Sequence, residues 1–556
     1  MPLLSSSFSF RVRCMVIALT FFAASLAAGQ TAITTYHVDN NRTGWNSQET
    51  VLTPANVSSS SFGLLHTVTF TNPVDNQIDA QPLFVPGVNI TAGNFQGVHD
   101  VVYIATEGNS VYAVDAEAGT VLLSPTFGTP GVLPTACNNP KSKVGISATP
   151  VIDLSSNTLY VVINEQGTTA PAYWVHALDL GSLTDKVAPQ MVVASHTLID
   201  GSTFNFNAAF QRQRPALLLA NGNIYAGFGS FCDSNVSLSR GILLGWSTGT
   251  LTPLPANQTL DTQVTSPNDW FLSSIWMSGY GPSTDDSGNI LFVTGNSDPS
   301  GSTYDGITDI QESVVKVSSN LTTVLSVFTP DDQPNLDATD TDFGAGGVMV
   351  LPNQRGTVPH LAVAAGKKGT LFLMNEDNLG GFSTTRNNVL GAYPIGGCWC
   401  GPSYFVDPSD GVGRVVTSGG YNVDVFKVEV SKKKTILTKV STSPTIVGVN
   451  HEGFFTSISS NGTANPIIWA ASHPTSTPGN PIYLYAFNPE SVTGGSMQQI
   501  LMTQAGKGNS NLVPVVANGE VFVASQGELE IFGLTTAAKK GQTTSAAINR
   551  EAKTKP

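Results

Sequence analysis

VVYIATEGNSVYAVDAEAGTVLLS, residues 101–124, alternates apolar and polar residues, breaks at Glu107-Gly108-Asn109-Ser110, and alternates again. Period-two alternation on both sides of a polar, glycine-containing turn predicts a β-hairpin. The same shape returns down the chain. It is read in TLYVVINEQ…YWVHALDL (158–180), NIYAGFGSFCD…GILLGWS (223–247) and NILFVTGNSD…SVVKVSS (289–319). It is read again in HLAVAAGKKGTLFLMNED (360–377), RVVTSGGYNVDVFKVEV (414–430), IIWAASHPTSTPGNPIYLYAFN (467–488) and EVFVASQGELEIFGL (520–534). A further short strand precedes most of these, as in DAQPLFV at 79, GISATPVID at 145 and RQRPALLL at 212.

The repeats come at intervals of roughly 55–67 residues, a period that marks a propeller or solenoid. A single hairpin unit cannot bury its own apolar faces, so neighbouring units must stack. No helical periodicity lies between the strands, which excludes βαβ topology. Radial closure protects the strand edges that an open array would expose. The expected fold is all-β: a single eight-bladed β-propeller of four-stranded antiparallel blades over residues 30–534. The last unit supplies three strands, and FGLLHTVTF (62–70) has no partner near it in sequence. It is expected to complete the last blade and close the ring. A parallel β-helix is the alternative, but its repeats run to about 20–25 residues.

The two ends read differently. Arg11 and Arg13 precede CMVIALTFFAASLAA and the small residues Ala27-Ala28-Gly29, the order of a signal peptide over residues 1–29. An apolar run of about 15 residues is short for a membrane span, which disfavours an N-terminal anchor. The expectation is a secreted or periplasmic protein without a transmembrane segment after cleavage. Residues 535–556, with five cations and one Glu, read as a disordered basic tail.

The 556-residue chain has a formal net charge of −13, and loss of residues 1–29, with two arginines and no acid, takes it to −15. Such a chain, without a basic cluster in its body, is unsuited to nucleic acid. Past the signal segment the cysteines are Cys137, Cys232, Cys398 and Cys400, an even set suited to disulfides in an exported protein. Cys137 and Cys232 occupy equivalent places in successive units and are the favoured pair. Cys398-Trp399-Cys400 either forms a tight bridge or holds two thiols.

VYAVDAEAGTVLLS (111–124) resembles the repeat of pyrroloquinoline-quinone (PQQ) dehydrogenase propellers, with Val111, Tyr112, Ala113, Asp115 and Gly119 matching and Leu123 where the family has a docking Trp. NNRTGWNSQETVLTPANV (40–57), ATEGNSVYA, WMSGYGPS and GKKGTLFLMNEDN add to a resemblance that covers about residues 36–534, to a secreted, quinoprotein-like bacterial branch. The resemblance implies the fold firmly. For activity it implies PQQ with calcium, a quinone stacked between a Trp and a disulfide, and an Asp base. The family's adjacent Cys-Cys pair is absent, and no match to its calcium ligands is found.

The starts of the innermost strands are expected to crowd one mouth of an axial channel, where propeller pockets lie. Asp79, Glu107, Arg212, Arg214, Trp276, Asp342, Lys368 and Trp399 are the candidate ligand-binding residues there. Arg212 and Arg214 suit a carboxylate, Trp276 and Trp399 suit a planar ring, and Glu107 and Asp342 suit a metal. Each fits an inter-blade ion pair or a core aromatic more readily, since structural ion pairs shift charges in much the same way. TDTDFGAGG (339–347) and DPSDG (407–411) are oxygen-rich but lack the carboxylate spacing of a calcium loop. His37, His176, His360, His451 and His473 are scattered, and no G-x-S-x-G elbow supports a hydrolytic triad. Three functions follow in order. The first is a non-catalytic propeller presenting its funnel or blade loops to a small ligand, glycan or protein, as a monomer. The second is a periplasmic PQQ- and calcium-dependent dehydrogenase oxidising an alcohol or sugar. The third is a calcium-assisted hydrolase or lyase.

Overall fold

The computed structural model describes residues 31–72, 77–134, 137, 143–431, 434–446, 453–472, 480–508 and 513–535. The predicted signal segment, the tail beyond 535, His451 and His473 lie outside the described residues. The opening stretch is a hairpin of Gly97–Ala105 and Val111–Asp115, with Tyr103 opposite Ala113. Leu83–Ile90 pairs on one side and Thr120–Leu123 on the other, giving a four-stranded antiparallel sheet. Asp115 accepts the Ala118 amide at 2.8 Å and holds the second turn, where Gly119 has φ +63°.

Alternate residues of this sheet enter different cores. Val101, Tyr103, Val111 and Ala113 pack with Leu159, Val161 and Ile163 of the following sheet. Val102, Ile104, Tyr112 and Val114 pack with Phe522, Leu529 and Ile531, near the other end of the chain. Both faces are therefore buried, which is why the strands are apolar at nearly every position rather than at every second one.

The same sheet recurs. Val151–Asp153, Thr158–Glu165, Ala172–Asp179 and Gln190–Met191 form the next, followed by one built on Leu218–Ala220, Asn223–Ser230 and Ile242–Ser247. Then come Ser283–Thr284 to Val324–Phe328 and Val348–Val350 to Gly391–Pro394. Ser403–Val406 to Thr435–Thr442 and Thr456–Asn461 to Ser496–Lys507 are two further four-stranded halves, joined by one parallel pair, Thr442 with Ser496. The final sheet is Val515–Ala517, Glu520–Ala524 and Glu528–Leu534, with Phe62–Thr69 antiparallel to Glu528–Leu534 from Phe62 opposite Leu534 to Thr69 opposite Glu528. Across the junction of first and last sheets Phe84 stacks on Phe522, centroids 5.7 Å apart. The whole is all-β, in a propeller arrangement. Among the described residues no helix is long and apolar enough to cross a membrane.

The axis holds a feature that the repeat does not announce. Residues 33–46 pass from one innermost strand to the next in chain order. Ile33 bridges Phe84, and the Thr34 carbonyl accepts from the Ile152 amide at 2.8 Å. Asn40 donates to the Leu219 carbonyl at 2.8 Å and accepts from the Thr284 amide at 2.9 Å. The carbonyls of Asn41, Thr43 and Gly44 accept from Val350, Tyr404 and Ile458 at 3.0, 2.8 and 2.7 Å. Asn46 donates to the Val516 carbonyl at 2.9 Å. Each of the sheets described above is touched by this one segment.

Arg42 lies at its middle with 0 % exposure. Its guanidinium donates to the carbonyls of Tyr36 (2.7 Å), Pro282 (2.8 Å) and Leu217 (3.1 Å), and to Thr35 Oγ1 at 2.7 Å. Burial lowers its pKa to about 10, so it stays charged at neutral pH. The Tyr280 hydroxyl donates to the Arg42 carbonyl at 2.9 Å. The Tyr280 ring fills the gap between Gly347 and Gly401, where a methyl on either glycine would overlap it.

Removing the guanidinium would strand several buried carbonyls. Arg42→Met should therefore cost more than about 3 kcal/mol, since single hydrogen bonds to charged groups are worth about 1.5–3 kcal/mol. Lys427→Met, at the Lys427–Asp410 pair where both side chains are about one-third exposed, should cost under about 1 kcal/mol. Urea denaturation of the two variants side by side checks the contrast.

Candidate functional site

One step up the strand from this floor lies the level at which the sequence places the channel mouth. Gly281 faces the Arg42 guanidinium, and Gly279 faces that of Arg214. The mouth is made by residues just before the innermost strands and by turns between second and third strands. It gathers most of the residues expected from the sequence, in two groups.

In the first group, Arg214 lies 3.8 Å from Asp79 and Arg212 lies 3.9 Å from Glu107. Glu107 accepts from the Gly145 amide at 2.7 Å and Ser147 Oγ at 2.6 Å. Burial, with the Asp79 charge adding, pushes the Glu107 carboxyl up to about 7 against the pull of Arg212. Arg214 donates to the Ser147 carbonyl at 3.1 Å. The buried Arg212 Nε has no partner. The two arginines thus face acids of the protein itself.

In the second group, the rings of Trp276 and Trp399 meet edge to face, centroids 5.8 Å apart at 89°. The Lys367 ammonium lies 5.3 Å from the Trp399 centroid and 5.7 Å from that of Trp276. It contacts Asp342 at 2.9 Å and Asp340 at 3.0 Å. Burial opposes the Lys367 charge, but Asp342 and Asp340 more than offset it. Burial pushes Asp342 up to about 6 despite Lys367, which leaves the pair ionised at neutral pH. Beneath it the Glu312 carboxylate accepts the Phe343 amide at 2.5 Å. Glu312 is raised well above its usual range by burial and by the charges of Asp342 and Asp337.

Lys368 turns away. It pairs with Asp332 and lines a separate small cavity with Leu336, Phe343 and Phe372. Its neighbour Lys367 is the cation that reaches the mouth. The two lysines are the central residues of a turn closed by the Gly369 amide donating to the Gly366 carbonyl at 2.9 Å, and the turn sends one lysine to each side. Glu312 and Asp340 were also missed; Asp340 sits in the quoted TDTD run, whereas nothing local marks Glu312.

Both disulfides are formed. Cys137–Cys232 spans 95 residues and ties the segment before the second sheet to the turn after Asn223–Ser230. Cys398–Cys400 brackets Trp399, which excludes the free-thiol alternative. DPSDG is an ion-pair turn, with Asp407 and Asp410 on Arg414 at 2.9 and 3.0 Å. His176 and His360 pair with Asp185 and Asp377, each at 3.0 Å. A depression of about 870 Å³ lies on the outer flank, lined by Ser195–Thr197, Pro255–Gln258 and Leu321–Val327. It offers no carboxylate or cationic side chain apart from the partnered His196, so the mouth is the better candidate.

No protein family matches the sequence, and no characterised relative aligns with it. Solved structures do resemble the fold. A quinohemoprotein alcohol dehydrogenase from Comamonas testosteroni superposes with TM-score 0.57 at 11 % identity, over 90 % of this chain and 80 % of that one. A second quinohemoprotein alcohol dehydrogenase, from Pseudomonas putida HK5, gives 0.58 at 13 % identity with the same coverage. A europium-containing methanol dehydrogenase gives 0.56 at 10 % identity, over 90 % of this chain and 98 % of that one. The chain therefore has the β-propeller fold of the quinoprotein dehydrogenases.

The mouth does not fit a quinone and its metal as those residues stand. Lys367 and the edge of one indole occupy the corner between Trp276 and Trp399 that a flat tricycle would need. Cys398 and Cys400 are each 1 % exposed and offer no open platform. Asp79, Glu107 and Asp342 each face a cation of the protein. Among the described residues no group of three or more His, Cys, Asp or Glu is placed to hold a metal.

Below the second group lies a buried set of acids. Asp261 is 3.4 Å from Arg240, yet burial and the Asp309 charge push it up to about 8. Burial pushes Asp337 to about 8 and Asp309 to about 6. A carboxyl raised in the folded state lends stability that is complete below its unfolded pKa of 3.8 and is lost as pH rises through the folded value. His37, lowered by burial from 6.5 to about 4, acts with the opposite sign, and only below pH 6.5. The thermal midpoint should therefore fall between pH 6.5 and 8, and the fall should be shallower in Asp261→Asn. Calorimetric scans of both proteins across that window provide the check.

Proposed function

We propose that this protein is an exported ligand-binding propeller, not a quinone-dependent oxidoreductase. On this reading residues 30–534 form eight blades around the axis, closed by residues 62–69 and pinned by residues 33–46. Residues 1–29 are a signal peptide, 535–556 a basic tail, and the mature protein is a secreted or periplasmic monomer. The mouth takes up a small ligand, or the tip of a glycan or protein, with Asp79, Glu107, Arg212, Arg214, Trp276, Asp342 and Trp399 as contacts. One observation carries this choice: the corner where a quinone would stack is filled by Lys367, itself held by Asp342 and Asp340.

The second reading is a PQQ- and calcium-dependent dehydrogenase acting on an alcohol or sugar. It rests on the likeness to the quinohemoprotein and methanol dehydrogenases, which concerns the scaffold. One experiment separates the two. The purified protein is mixed with PQQ and Ca²⁺, and the quinone absorbance and alcohol-dependent dye reduction are followed. The expected result is neither a stoichiometric spectral shift nor dye reduction. Stoichiometric binding with alcohol-dependent reduction would overturn the binding-protein reading.

A further inference from the structure

We propose that the Trp276–Trp399 corner is a recognition box for a primary ammonium group, and that Lys367 is its built-in occupant. The proposal rests on the reading of the mouth as a ligand-binding site and names the chemical class of that ligand.

The two indole planes meet at 89°, and the Lys367 ammonium lies 5.3 Å from the Trp399 centroid and 5.7 Å from that of Trp276. Both distances fall within the roughly 6 Å over which a cation is drawn to an aromatic face. Asp342 Oδ2 at 2.9 Å and Asp340 Oδ1 at 3.0 Å supply acceptors for N–H donors, which selects a primary ammonium over a fully alkylated one.

The box holds an acceptor that Lys367 does not use. Asp342 Oδ1 is buried and has no partner. Asp342 is 3 % exposed. Oδ1 belongs to the same carboxylate that grips Lys367. An unpartnered oxygen at that depth marks a place where another donor belongs.

The walls are fixed, and the occupant is held by contacts at its head, where Nζ also donates to the Asp340 carbonyl at 3.1 Å. Trp399 is held between the bridged Cys398 and Cys400, and Ser278, two residues past Trp276, donates to the Ala345 carbonyl at 2.6 Å. Lys367 is tied at its backbone, its amide donating to the Asp342 carbonyl at 3.0 Å, but its head sits on a four-carbon stem. Its second partner, Asp340, is 73 % exposed and offers an outward position for the displaced head. Lys367 is thus a tethered competitor, with an effective concentration of order millimolar that an incoming amine must overcome. Removing it should raise the apparent affinity for a small amine about tenfold.

The test is a tryptophan-fluorescence titration with n-butylammonium, with n-butanol and butyrate as controls of the same length. Lys367→Met is expected to respond to n-butylammonium at about one-tenth of the concentration the unaltered protein needs, and to neither control. Adding Trp399→Leu to Lys367→Met should remove the response. A folded Lys367→Met protein without an ammonium-specific response would overturn the proposal, as would an equal response to butanol. Should Lys367→Met fail to fold, calorimetric titration of the unaltered protein against Trp399→Leu decides: at least tenfold weaker binding in the variant supports the box, and equal or absent binding in both overturns it. None of these results bears on PQQ uptake, so failure of the box and failure of the binding-protein reading are read from different signals.

Discussion

The Arg42 guanidinium sits at the axis, fully buried, with backbone carbonyls from three separate parts of the chain converging on it. A charge in that place is tolerated because almost every N–H finds an oxygen. The same contacts explain why so many sheets can share one centre. Inner strands converge on the axis with backbone groups that no blade partner can reach. The segment from Ile33 to Asn46 meets them one after another, donating with side-chain amides and accepting with carbonyls. What would be an open bore becomes a floor, and the candidate residues lie one step along the inner strands from it.

The blades themselves were legible because their physics is local. A strand pair and its turn lie within about 25 residues, and burial on both faces writes near-continuous apolar runs that turn residues interrupt. The floor was not legible. NNRTGW has no periodicity, and its partners lie hundreds of residues away: His37 binds the Thr456 carbonyl at a separation of 419, and Asn46 the Val516 carbonyl at 470. A polar string that reads as a loop is here half or fully buried, with Arg42 at 0 % exposure.

The mouth falls between these extremes. Topology places residues before each inner strand at one end, so Asp79, Arg212, Arg214, Trp276, Asp342 and Trp399 could be named from strand order alone. Their partners could not. Whether Glu107 meets a metal or Arg212 depends on how neighbouring blades are set, and the structure puts the guanidinium 3.9 Å away. Lys367 and Lys368 differ only in which side of one tight turn they face. Glu312 carries no sequence signal, because its role comes from burial beneath a turn of the next blade.

Fold and chemistry separate cleanly in this architecture, and the reason is geometric. The forces that hold the ring act between sheet faces and at the axial floor, and both lie below the mouth. Residues at the mouth sit on turns and before strands, outside the sheet cores, although Glu107 and Arg214 also hold backbone groups of a neighbouring turn. A scaffold shared with dehydrogenases therefore constrains little of what is bound there. In this chain the freedom has been used to set acids against cations and to place an ammonium between two indoles. Each of those pairs spans different blades, or different turns of one blade, so a ligand that breaks one pair acts on the relative setting of the turns, and the disulfides at 137–232 and 398–400 limit how far they can yield.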